Sequence, residues 1–283
     1  MLSRLLALLL SPLLLLACAA PAAPRAVRPA DGTPERRTVT VGSTARPYLL
    51  VRPPAGAQVL GAVLVLHAQN QTMGAAQQSY GLGHLPGRGQ LVAYLGGYRG
   101  SWNSGGCCGA ARKEGLDDLG YLKAVLADLR TQLPADRPAS LVAYSSGAML
   151  AYAAVCHADL GLRLVLSVSG TRSSGCSSAH LPYRFVELHG AKDATIPLDP
   201  PSHYASVLGI TPVPARPATR TLAAAAGCTR TVPHGATRTD DGGCRGGGVV
   251  RLLVRADAGH SYADLDAPVV LTRALEEVGQ TTP

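Results

Sequence analysis

Aromatic side chains are scarce in this chain, with one Trp, one Phe and 10 Tyr among 283 residues. Nucleic acid is gripped by clustered cations, and single strands also by the rings between them. Here 26 Lys and Arg exceed 18 Asp and Glu, for a net charge of +8, but the cations stand singly along the chain. The excess reads as solvated surface charge, and no nucleic-acid partner is expected. Charge is itself sparse, at 16% of residues against 47% hydrophobic. That balance excludes intrinsic disorder as a description of the whole, because the chain has ample apolar material for a core. Internal repeats are absent too, and the length suits one large domain.

Long apolar runs are missing apart from residues 5–16, which follow Arg4. This run has the charged start and short apolar centre of a secretory signal. It is shorter than the roughly 20 apolar residues that span a bilayer. It ends in Leu15, Leu16, Ala17 and Cys18, an arrangement that resembles the bacterial lipobox. Residues 1–17 are therefore expected to be a lipoprotein-type signal peptide, with Cys18 lipidated and holding the mature chain at a membrane. Cleavage before Ala20 or Ala23 is the alternative and would release a secreted protein. Either route puts the chain outside the cytoplasm. Residues 18–37, with Pro21, Pro24, Pro29 and Pro34 and no apolar period, read as a flexible tether before a domain over 38–283.

Setting Cys18 aside leaves Cys107, Cys108, Cys156, Cys176, Cys228 and Cys244. An even number in an exported chain implies disulfides. Their spacing matches no zinc signature, and adjacent Cys107 and Cys108 suit a tetrahedral site poorly, so no metal is expected. Cys228 and Cys244 are expected to pair, closing a loop whose constraint is worth roughly 3 kcal/mol. The partners of the other four stay open.

Residues 38–41, 47–51, 60–66, 90–95, 140–144, 162–168, 184–188 and 249–254 read as strands, most of them continuous apolar runs suited to parallel strands covered on both faces. Leu119, Leu122, Leu126, Leu129 and Leu133 recur at helical spacing behind Asp117 and Asp118, whose charge suits a helix start. Residues 146–157 and 268–278 are further helices. The alternation predicts a single α/β domain with a doubly wound, mostly parallel sheet. The Gly- and Pro-rich stretch 197–248 carries the weakest signal.

Ser145 stands where a strand gives way to a helix, in the order Ala143, Tyr144, Ser145, Ser146, Gly147. This is the nucleophile-elbow pattern G-x-S-x-G with Ala for its first Gly. Small neighbours are needed because the sharp turn crowds strand against helix, and the turn puts the Ser146 N–H beside the serine, where an oxyanion would form. Alone the pentapeptide is weak evidence, since small residues are common at such turns. Asp193 follows the strand 184–188, and His260 follows the last strand. Ser145, Asp193 and His260 thus occur in the chain order Ser, Asp, His, each at the same edge of a parallel sheet. They are expected to act as nucleophile, orienting carboxylate and general base. The loop after His67 is expected to supply a second oxyanion donor from Gln69, although Ala68 stands where a Gly is usual. His67 and His189 end apolar strands and are better read as buried structural histidines. Asp257 and Asp264 are rivals of Asp193, and His203 and His234 are weaker candidates for the base.

Over nearly the whole exported domain these pieces resemble the secreted polyhydroxybutyrate depolymerase and feruloyl esterase-like family of α/β-hydrolases. The resemblance is carried by Arg46 to Val51 with Pro53, Leu66-His67, Trp102-Asn103, Gly106-Cys107-Cys108-Gly109, Leu116 to Leu122, and Tyr144 through Met149. It continues through Tyr152 to Cys156, Leu188-His189-Gly190 with Asp193, Gly227-Cys228 and Gly259-His260, with the six cysteines at corresponding places. It implies cofactor-free hydrolysis of carboxylic esters, small or oligomeric, through an acyl-enzyme on Ser145 with His260 and Asp193. Ala68 and Ala143 depart from the family's glycines, and Ser261-Tyr262 stands where a Trp is usual. Lacking surface Trp to bind a polymer, the chain suits a soluble ester better than a crystalline polyester. A non-catalytic ligand-binding lipoprotein on the same fold and a serine peptidase are the rival readings.

Overall fold

Continuous apolar runs become strands buried on both sides. The computed structural model describes residues 32–200 and 209–280, so the expected signal peptide 1–17, Cys18, most of the tether and His203 lie outside the described residues. The elements in chain order are β1 (Glu35–Val41), β2 (Thr44–Val51), β3 (Gly61–Leu66), α1 (Met73–Ser79), β4 (Gln90–Leu95), α2 (Gly109–Lys113), α3 (Asp118–Arg130) and β5 (Ala139–Tyr144). They continue with α4 (Ser146–His157), β6 (Leu164–Val168), β7 (Arg184–Gly190), α5 (Ala215–Ala225), β8 (Arg230–Pro233), β9 (Arg238–Gly242), β10 (Val249–Arg255) and α6 (Ala267–Glu277).

All the strands join one 10-stranded sheet in the order β1-β2-β4-β3-β5-β6-β7-β10-β9-β8. Its centre, from β4 to β10, is parallel, and antiparallel strands finish both edges. Period-two geometry divides each apolar run between two faces. Leu64, Leu66, Leu141, Ala143 and Phe185 pack with α3, α4 and α5, while Val63, Val65, Val142, Leu166 and Val186 pack with α1 and α6. Helix α4 lies deepest, with every residue from Ser146 to Cys156 buried. This is a doubly wound α/β fold.

One expectation needs correction. Strand β1 reaches back to Glu35, so residues 35–37 are not tether: Glu35, Arg36 and Arg37 pair with Leu50, Leu49 and Tyr48, and Arg37 reaches Asp128 of α3 at 3.2 Å. The two acids expected at a helix start both stand there. Asp117 caps α3 by accepting from Gly120 N, whereas Asp118 is buried, 2.6 Å from Arg46 Nη2 and accepting from Asn103 N at 2.7 Å. The bridge ties β2 and α3 to the loop that carries buried Trp102.

In the stretch that carried little signal, α5 and the β8–β9 hairpin are fastened by a Cys228–Cys244 disulfide. Asp240 on β9 accepts from Arg251 Nε at 2.8 Å and Nη2 at 3.1 Å, and from Arg238 Nε at 3.0 Å. Burial alone would raise this carboxyl, but the two guanidinium groups outweigh it and hold it at about 2. A carboxyl depressed by folding adds stability above its unfolded pKa and loses it as the pH falls through the folded one. Asp240→Asn is thus expected to lower the melting temperature at pH 7. The gap to the parent should close between about pH 4 and pH 2, as thermal melts across that range would show.

Candidate active site

Four strands end at the same edge and deliver the site. Ser145 follows β5 in a turn with φ 54° and ψ −116°, a conformation that L-residues adopt only under strain. The turn is locked by Ser145 N donating to Val168 O and Met149 N donating to Ser145 O, which starts α4. It also brings Gly147 against β3: a Cβ there would stand 2.6 Å from His67 O and 2.8 Å from Leu66 O, so only Gly fits. Ala143, two residues ahead of the serine, is buried in the sheet's core, paired with Leu66 and Ser167. A methyl group is accommodated on that side of the turn.

The turn after β7 holds Asp193. Its Oδ1 accepts from Thr195 N and Ile196 N, each at 2.8 Å, which leaves Oδ2 facing His260. His260 stands on the loop between β10 and α6. That loop is drawn against β7 at Gly190, where a Cβ would lie 2.2 Å from Gly259 O and 2.3 Å from Ala258 O. Lys192 N donates to Ala258 O, and Tyr144 and Ser169 hydroxyls donate to the His260 carbonyl at 3.0 and 3.2 Å. So placed, His260 Nδ1 is 2.7 Å from Asp193 Oδ2 and its Nε2 is 2.9 Å from Ser145 Oγ. The structure brings the three expected residues into one hydrogen-bonded chain. Burial works to raise the Asp193 carboxyl, but hydrogen bonds from His189 and His260 prevail and hold it far below the usual carboxylate range.

The expected oxyanion donors lie at the same edge. Ser146 opens α4, where the first amides of a helix have no intrahelical acceptor. In the loop after β3, Ala68 N, Asn70 N and Gln71 N are all engaged, which leaves the Gln69 amide over among the described residues. The positive φ in this loop falls on Asn70, at 60°, and not on Ala68. The substitution at position 68 therefore introduces no backbone strain.

The rival residues are placed elsewhere. Asp257 is exposed and pairs with Lys192, Asp264 is exposed, and His234 lies near Asp240. His67 is buried: Nδ1–H donates to Ala68 O, Nε2 accepts from Gly97 N, and Trp102 Nε1 donates to the His67 carbonyl. Burial keeps this imidazole neutral by lowering its pKa. Tyr262, at the position of the missing Trp, is buried and stacks on Tyr80 with ring centroids 4.4 Å apart.

The cysteines left open form Cys107–Cys108 and Cys156–Cys176 disulfides. The adjacent pair is buried against Met149 and Ile196, between the first turn of α4 and the Asp193 turn. Sequence reasoning missed the donors on the His260 carbonyl and a buried carboxylate, Glu187, inside β7. The signal for the latter was available as a lone Glu in an apolar strand. Among the described residues no group of three or more His, Cys, Asp or Glu is arranged to hold a metal ion.

Architecture and comparison agree on the class: the fold is that of the α/β-hydrolases. An α/β serine hydrolase without lid from Xanthomonas campestris superposes with a TM-score of 0.58 at 15% identity, covering 92% of this chain and 100% of that one. A thermophilic esterase from Thermogutta terrifontis gives 0.58 at 13% identity, covering 88% and 96%. An acylaminoacyl peptidase from Pyrococcus horikoshii gives 0.57 at 10%, covering 88% of this chain and 42% of that one. At these identities the likeness shows the fold alone, which serves esterases and peptidases alike. In sequence, feruloyl esterase C of Emericella nidulans is 27% identical over 84 residues, 29% of this chain and 31% of that protein. The matched stretch thus spans about a third of the relative's length. No family profile matches the chain.

Proposed function

We propose that the protein is an exported serine hydrolase of carboxylic esters, similar in chemistry to the feruloyl esterase and polyhydroxybutyrate depolymerase group. The observation that carries this reading is the unbroken path from Ser145 Oγ through His260 Nε2 and Nδ1 to Asp193 Oδ2, with links of 2.9 and 2.7 Å. His260 Nδ1–H donating to the carboxylate leaves the Nε2 lone pair facing the serine hydroxyl. Ser145 Oγ attacks the ester carbonyl carbon as its proton passes to Nε2, and the oxyanion accepts from the Ser146 and Gln69 amides. Collapse breaks the bond to the alcohol, which leaves with the proton from His260. Water, deprotonated by the same nitrogen, then releases the acid and restores the serine.

The unstrained Ala68 and the accommodated Ala143 remove the reason to read the glycine replacements as a lost function. Trp102 is wholly buried and unavailable as a polymer-binding surface, which supports a soluble ester as substrate. A screen of the exported domain against short aryl and acyl esters, feruloyl esters, acetylated sugars and hydroxybutyrate oligomers tests the reading, with Ser145→Ala as its control. Absence of turnover on every ester would overturn it.

The proposal extends to the anchor: Cys18 is the lipidated first residue of the mature protein. Intact mass of native protein is expected to show the chain from Cys18 with added lipid, partitioning with membranes. A lipid-free product beginning at Ala20 or Ala23 would refute the anchor.

A further inference from the structure

We infer that His189, braced by Glu187, is a positioning residue for Asp193, donating from Nε2 toward the carboxylate that orients His260. The inference rests on the proposed hydrolase reading and concerns two buried groups that the reaction scheme leaves unused.

Both stand on β7. Alternation puts Phe185, Glu187 and His189 on the face covered by α4, and Glu187 and His189 have fully buried side chains. A buried carboxylate persists only with partners. Glu187 has them from two other places: Oε1 accepts from Gly170 N at 2.8 Å and Oε2 from Tyr152 OH at 3.3 Å. Its remaining contact is His189 Nδ1, at 2.8 Å from Oε1. The other ring nitrogen, Nε2, is 2.8 Å from Ile196 O and 3.3 Å from Asp193 Oδ2.

The Ile196 carbonyl only accepts, so Nε2 carries a proton whether the Glu187–His189 pair is charged or neutral. That N–H therefore always faces the carbonyl of the Asp193 turn and, at the longer distance, Asp193 itself. Burial acts to lower the imidazole pKa, but hydrogen bonds from the ring to Asp193 and Glu187 overcome it and raise it to about 10. Asp193 consequently stands between two imidazoles. His260 binds Oδ2 from the solvent side and His189 approaches the same oxygen from the core. With Oδ1 fixed by two backbone amides, the carboxylate has one available orientation, the one that directs His260 toward Ser145. The titratable groups facing His189 are Glu187 and Asp193 on β7 and its turn, with Tyr152 of α4 behind Glu187 and His260 of the β10–α6 loop behind Asp193.

A merely structural histidine would affect folding and leave the chemistry of the surviving folded protein unchanged. A positioning histidine affects three readouts. In folded His189→Gln, kcat is expected to fall on the order of 100-fold with KM within about twofold, because misplacing a catalytic group costs that much without touching the substrate site. The acid limb of kcat/KM should move to higher pH, since losing the Nε2–H donor leaves Asp193 a stronger negative field on His260. The low-field proton resonance of His260 Nδ1–H should also shift, a readout that needs no substrate. If the single variant does not fold, Glu187→Gln/His189→Gln removes the donor together with its brace and should show the same pattern. On the unmodified protein, 15N-labelled histidine should show His189 Nε2 protonated from pH 5 to pH 9.

A folded variant with the parent's kcat, acid limb and Nδ1–H resonance would overturn the inference, as would an unprotonated Nε2 in the parent. If the parent hydrolyses no ester, the hydrolase reading fails, and the resonance shift and ring protonation still decide whether His189 positions Asp193.

Discussion

Ser145→Ala is expected to cut kcat/KM on a short activated ester by on the order of 10⁴-fold or more, because nucleophile and base act as a unit. That corresponds to about 5.5 kcal/mol of transition-state stabilisation. The fold should survive. Both residues carry a Cβ, so the left-handed turn at φ 54° is as strained with Ala as with Ser, and among the described residues the hydroxyl's hydrogen bond is to His260 alone. The melting temperature is therefore expected to stay close to the parent's while activity disappears. A variant keeping more than about a tenth of the parent's kcat/KM, a loss under roughly 1.4 kcal/mol, would show that Ser145 is not the nucleophile.

The central strands were legible because a parallel sheet covered on both faces needs unbroken apolar runs, and such runs have few other uses. Strand β4 (Gln90–Leu95) and helix α4 (Ser146–His157) match their predicted bounds residue for residue. Edges were harder. Glu35, Arg36 and Arg37 carry no apolar signal because β1 is a solvent-washed edge, held by backbone pairing and the Arg37–Asp128 contact. The stretch 197–248 concealed α5, whose buried positions are mostily small residues such as Ala215, Ala218 and Ala223, and a hairpin of Arg, Thr and Asp. Local composition could not reveal these elements, since packing against β10 and the Cys228–Cys244 bridge hold them.

The candidate site was legible in part for a topological reason: turns at the C-terminal ends of parallel strands share one edge, so chain order alone places Ser145, Asp193 and His260 together. What sequence could not convey was the support beneath them. Tyr144 and Ser169 meet the His260 carbonyl from two different strand ends, and Arg46 of β2 meets Asp118 at the start of α3, contacts between residues far apart in the chain. Glu187 and His189 differ, being two apart on one strand and hence on one face, a buried polar pair that the period of a strand makes readable.

Asp193→Asn is expected to be nearly as damaging as the serine replacement, at on the order of 10⁴-fold in kcat, by reversing the tautomer of His260. The amides of Thr195 and Ile196 both donate to Oδ1, so the Asn carbonyl oxygen must take that position. Its NH₂ then faces His260 Nδ1, which lies 2.7 Å from the oxygen it replaces. Two donors cannot share that bond, so the imidazole carries its proton on Nε2 and directs an N–H, not a lone pair, at Ser145 Oγ. The serine hydroxyl loses its proton acceptor. The new NH₂ also confronts the His189 Nε2–H, 3.3 Å from the same oxygen, so the Asn loses a favourable contact on its core side as well. Both oxygens of this carboxylate are engaged within the protein, and KM should change little. The proton positions provide an independent check. In 15N-labelled parent, His260 should be protonated at Nδ1 in its neutral form, and in Asp193→Asn at Nε2. A variant that keeps the Nδ1–H form and most of its kcat would show that Asp193 does not set the state of the base.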